Sequence, residues 1–128
     1  MIREESEEKT HYGTVNFERR KYPRFNIDLP VEYYKTEISV KHGRALNISI
    51  GGLLLYLPEE MKIGQFLNLV LFFTLDSEMN KIQALVEVVW TEIRPGKDWG
   101  DYRTGVIFDE ITVDDITKIK NFMRSLEG

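Results

Sequence analysis

KIQALVEVVWTEIR, residues 81–94, decides how the rest of the chain is read. Ile82, Ala84, Val86, Val88 and Trp90 recur at every second position, with Gln83 and Glu87 among the residues between them. Successive side chains alternate faces along a strand, so this period marks a half-buried β-strand rather than a helix. Trp90 falls in the apolar set and reads as core, as do Phe72 and Phe73. Pro95-Gly96 then ends the run with a turn signal.

The flanking stretches have the same character. QFLNLVLFFTL at 65–75 and TGVIFDEI at 104–111 are further strands, and LLLYL at 53–57 is an apolar run suited to burial on both sides. ISVKHGRALNIS at 38–49 alternates weakly. FNIDLPVEYYK at 25–35 places Phe25, Ile27 and Leu29 on one face before Pro30 interrupts, as at an edge strand or a bulge. Lys41-His42-Gly43, Gly51-Gly52 and Ser77 to Asn80 supply turn signals. Several short strands separated by turns predict a small antiparallel barrel or sandwich. After Thr112 the period changes. Ile116, Ile119, Phe122, Met123 and Leu126 form a helical stripe, with Thr112 as N-cap and Asp114 and Asp115 in the first turn.

The bulk properties bound the function. A chain of 128 residues suits one domain, and 42% hydrophobic residues exclude a wholly disordered chain. Residues 1–18, with Glu4, Glu5, Glu7 and Glu8 close together, read as a largely flexible tail, and 19–128 as the domain. With no cysteine there is no disulfide framework and no thiolate metal site. His11 and His42 are far apart in sequence, so no metal is expected. MIREESEEK lacks the apolar segment of a secretory signal, and no apolar run approaches the ~18 residues of a membrane span. A soluble cytoplasmic domain with no membrane insertion follows as the expectation. A net charge of -4 argues against DNA or general nucleic-acid binding, but leaves room for a small anion held by a few arginines. Ser49 has no base near it in sequence, and no catalytic constellation is visible, so an enzyme is not expected.

Two stretches carry binding chemistry. RRKYPRF at 19–25 concentrates positive charge in an acidic chain, and Pro23 keeps it out of a helix, as an extended entry to the first strand. Arg20 and Arg24 are spaced R-x-x-x-R. Guanidinium stays charged, donates in a planar fork to phosphate, addresses guanine O6 and N7, and stacks on flat rings. By itself the stretch reads as a solvated charge run before a domain rather than as a site. ALNISIGGLLLYL at 45–57 contains N-x-S-x-x-G at Asn47, Ser49 and Gly52. Asn47 and Ser49 share a strand face and offer an amide beside a hydroxyl, a pair able to address a base edge. Gly51-Gly52 permits a tight bend with positive φ and close backbone approach to a ligand. By itself this reads as a polar strand end and an ordinary glycine turn.

Together the two motifs resemble the PilZ domain family. Trp90 late in a long strand and GVIFDEI at 105–111, similar to that family's G-x-x-F strand before a terminal helix, agree. The resemblance covers about residues 19–126. It implies a mainly β fold, a six-stranded antiparallel split β-barrel with a C-terminal α-helix, and cyclic di-GMP as the ligand. It further implies that Arg20 and Arg24 hold phosphates and guanine faces. Asn47, Ser49 and Gly52, with Gly51 in the same turn, would line the guanine site. Arg19 would be an extra cation able to favour a stacked ligand dimer. The function so implied is a non-enzymatic receptor that changes its N-terminal conformation on binding and signals through another protein, in motility, pilus or surface-polysaccharide control. The alternatives are a PilZ-like interaction module without nucleotide binding, and a small RNA-binding barrel using 19–24 as its phosphate patch.

Overall fold

A computed structural model of the chain describes residues 9–10, 23–35, 39–93 and 102–127. Its strands are β1 (Lys9–Thr10), β2 (Phe25–Tyr34), β3 (Lys41–Ser49), β4 (Gly52–Leu57), β5 (Phe66–Leu75), β6 (Glu78–Ile93) and β7 (Tyr102–Thr112), and one helix follows, α1 (Val113–Leu126). Every pairing is antiparallel, in the order β1-β7-β4-β3-β2-β5-β6. β6 also pairs with β7, so β2–β7 close into a six-stranded barrel. The barrel-plus-helix expectation is met.

The closed barrel has one interior, and alternation fills it. Val31, Tyr33, Ala45, Leu55, Val86 and Phe108 are fully buried there. LLLYL is therefore not buried on both sides: Leu53, Leu55 and Leu57 point in, while Leu54 and Tyr56 are half-buried on the outer face. Alternation in β2 runs straight through Pro30. The β2–β5 ladder starts only at Val31, so a residue without an N–H costs no ladder bond there, and the β2–β3 register shifts between Asn26 and Leu29. Lys41-His42-Gly43 is not a turn but the start of β3. This strand position requires glycine because a Cβ at Gly43 would meet Leu57 Cδ2 at 2.7 Å and the Tyr56 carbonyl oxygen at 2.8 Å. The β5–β6 turn is Asp76-Ser77, with φ of 54° and 67°, the geometry of a two-residue hairpin.

Helix α1 packs on the barrel through Ile116, Ile119, Phe122 and Met123. The Phe122 ring lies 4.8 Å from that of Phe73. Thr112 caps it, accepting from the Asp115 N–H at 3.1 Å. Asp115 in turn accepts from the Gln83 N–H at 3.0 Å, which ties the helix start to β6. Leu126, expected in the stripe, is 39% exposed beyond the last buried turn. No helix of the described residues is long and apolar enough to cross a membrane.

One polar cluster fastens the β2–β3 end of the barrel to the segment after β4. The fully buried Tyr33 donates its hydroxyl to Glu59 at 2.8 Å, and Lys35 and Lys41 approach the same carboxylate at 3.3 and 3.1 Å. Burial pushes Tyr33 up, reinforced by its hydrogen bond to the carboxylate and that group's charge. Burial also pushes Glu59 up, but the hydrogen bonds from Tyr33, Lys41 and Lys35 outweigh it and hold the carboxyl below its ordinary value of 4.5. A depressed folded value stabilises the fold above the unfolded value, and this is lost as pH falls through the folded one. Glu59→Gln should therefore cost about 1 kcal/mol in urea unfolding at pH 7. The gap to wild type should narrow as pH falls below the ordinary carboxylate range and through the lowered folded value.

Candidate functional site

Arg24 of the first motif meets the second motif on one outer face of the barrel. Arg24 sits just before β2 and donates from Nη1 to Asn47 Oδ1 on β3 at 3.1 Å. Ser49 ends β3, and its Oγ accepts the Gly51 N–H at 3.2 Å, which folds the backbone into the turn leading to β4. The Phe108 N–H donates to the Gly51 carbonyl at 3.0 Å and pins that turn to β7. Arg24, Ser49, Gly51 and Gly52 all line a groove of about 240 Å³. Asn47 borders it through its bond to Arg24. Lys21, Arg19 and Arg20 lie outside the described residues, as do Trp99 and most of residues 1–18, apart from Lys9–Thr10, which pair with Thr112 and Ile111.

One expectation is revised. Gly51 and Gly52 do not supply positive φ; among the described residues the positive-φ glycine is Gly64, at 92°. Gly52 is needed for proximity instead. A Cβ there would lie 2.1 Å from the Val106 carbonyl oxygen, so β4 and β7 could not close at this point. Ser49 is 4% exposed and serves the turn with its oxygen lone pair, leaving the hydroxyl proton as the donor for a bound group.

The groove has a second wall that the sequence did not announce. Trp90 is 41% exposed and lines it, so it is not core. The cause is a β-bulge. Val88 pairs with Val106, but Trp90 pairs with Gly105, so Val89 is an extra residue in β6. An extra residue reverses which face every later side chain takes. Trp90 thereby joins an outward row that runs Asn26, Asn47, Leu54, Gly105, Trp90 across β2, β3, β4, β7 and β6. Gly105 makes room for the indole: a Cβ there would lie 2.3 Å from Trp90 Nε1 and 2.6 Å from Cε2. The result is a groove with a cation on one side and an aromatic ring on the other. The hydroxyl and glycine turn lie in its lining too. Such a groove suits a planar anionic ligand, since rings stack on indole and phosphates pair with guanidinium.

Comparison with known proteins fits this geometry. The PilZ domain model matches residues 18–125. This chain belongs to the PilZ domain family.

Solved structures share the fold. The Bacillus subtilis Inhibitor of motility (MotI/DgrA) superposes with a TM-score of 0.70 at 21% identity, over 86% of this chain and 53% of that one. The chain thus spans about half the length of that protein. The PilZ domain of CeSA from a cellulose-synthesizing bacterium gives 0.57 at 16% identity, covering 83% and 99%. The PilZ domain of YcgR from Escherichia coli, solved with c-di-GMP, gives 0.54 at 14% identity, covering 86% and 92%. No curated protein sequence matches. For this PilZ domain, the motif residues and the groove identify the surface on which function is to be sought.

Proposed function

We propose that this PilZ domain is a non-enzymatic, cytoplasmic receptor for cyclic di-GMP. One observation carries the reading: Arg24, Ser49, Gly51 and Gly52, distant in sequence from Trp90, line a single groove with it. The ligand carries two phosphates and two guanines. Arg24, joined by Arg20 from the preceding segment and with Arg19 as a further cation, pairs with phosphate and guanine edges. The Asn47 amide and the Ser49 hydroxyl address base edges, and Trp90 offers a stacking face. The solved YcgR domain holds c-di-GMP, which supports this choice of ligand. On binding, the residues before Pro23 gather over the groove, the N-terminal segment is repositioned, and the altered surface is recognised by another protein.

The test is a titration followed by ¹H–¹⁵N NMR. Cyclic di-GMP should shift the amides of Gly51 and Gly52 and the indole N–H of Trp90 in one saturable transition. Absence of shifts there contradicts the reading. Binding of mixed RNA that weakens steeply with salt favours the RNA-binding barrel instead.

A further inference from the structure

We propose that Arg103 is a positioning residue for the groove: it holds the Trp90 indole flat against Gly105, fixing the aromatic wall. What that wall is for rests on the receptor reading above; the positioning itself rests on the geometry of β6 and β7. Arg103 is two residues before Gly105 on β7, so both face outward. It pairs directly with Glu92, and Gly105 pairs with Trp90, so Arg103 and Trp90 are diagonal neighbours across the two strands. Diagonal neighbours are within reach of long side chains.

Two observations fix the guanidinium on the ring. Its Cζ lies 5.8 Å from the Trp90 ring centroid, within the range of a cation–π contact. Its Nη1 is held by Glu92 Oε1 at 3.1 Å, so the group is anchored from the side away from the groove row. The arrangement closes a chain of constraints. Glu92 orients Arg103, Arg103 presses on the indole, and Gly105 gives the indole nothing to ride over.

A bulged, partly exposed tryptophan would otherwise sample several rotamers. Holding it in one lowers the ordering cost of stacking a base on it. Arg103 thus acts on ligand affinity through Trp90, without itself lining the groove.

The experiment uses the full chain with Trp99→Phe, so that Trp90 is the sole tryptophan. Acrylamide quenching of its fluorescence is measured without ligand in Arg103→Ala, Arg103→Lys and Glu92→Gln. Arg103→Ala should raise the quenching constant about twofold, with the other two variants between it and the parent. Cyclic di-GMP affinity should fall about two- to fivefold in Arg103→Ala, and by nothing further when Trp90 is already alanine. Quenching unchanged in both Arg103 variants overturns the proposal. So does an affinity loss that persists undiminished in the Trp90→Ala background, since Arg103 would then act on the ligand directly. If the parent binds no cyclic di-GMP, the receptor reading fails, and the quenching series still decides whether Arg103 positions the ring.

Discussion

Arg20→Ala/Arg24→Ala is expected to bind cyclic di-GMP at least a hundredfold more weakly than wild type while unfolding at nearly the same urea concentration. Each arginine contributes hydrogen bonds to a charged group, worth about 1.5–3 kcal/mol apiece. Two such losses correspond to roughly 10²- to 10⁴-fold in affinity. The fold has little stake in Arg24. Arg24 is exposed and its hydrogen bond is to Asn47, itself outside the core. Surface substitutions of this kind change stability by about 0.5 kcal/mol or less. Calorimetric titration beside urea unfolding checks both halves. A hundredfold loss accompanied by a large fall in stability would place the arginines in the scaffold instead of the site.

Gly52→Ala should do the reverse, damaging the scaffold and through it the site. The added Cβ would lie 2.1 Å from the Val106 carbonyl oxygen and 3.0 Å from Ile107 Cα, both backbone atoms that no side-chain rotation can relieve. β4 and β7 must separate where Gly52 pairs with Ile107. Overpacking of this kind costs about 1–3 kcal/mol, and the rigid backbone neighbours place this case at the upper end. The separation also displaces the Gly51 carbonyl from the Phe108 N–H and opens the groove floor, so affinity should fall together with stability. Thermal unfolding and calorimetry on the same sample check this. A variant as stable as wild type would show that β4 and β7 can shift at no cost.

Most of the fold was legible because its signals are local. Alternation in 81–88, the stripe from Ile116 to Met123 and the Thr112 cap each lie within one turn or strand. The site was legible only in part, and the failures share a physical cause. The sequence suggests positive φ at Gly52, whereas its constraint comes from Val106, distant in sequence, and not from its own φ. Trp90 reads as core from the sequence because a period-two pattern carries no mark of a bulge, whereas a single extra residue, Val89, reverses the faces after Val88. The adjacent valines at 88 and 89 were the one available signal. The Arg24–Asn47 hydrogen bond joins residues 23 apart, a pairing set by β2–β3 register and invisible in either motif alone. Gly43, a turn signal in the sequence, lies near the start of β3, and the neighbours that exclude a side chain there belong to β4. Local periodicity thus reveals elements, whereas the groove is made where bulges and close backbone approaches bring distant residues together.

The wild-type arm of the calorimetric titration bears hardest on the receptor reading. Cyclic di-GMP injected into the full chain should give saturable heat with a dissociation constant in the micromolar range or tighter, and Arg20→Ala/Arg24→Ala should abolish that heat at the same concentrations. No heat from the wild type, or identical heat from the double variant, would contradict it.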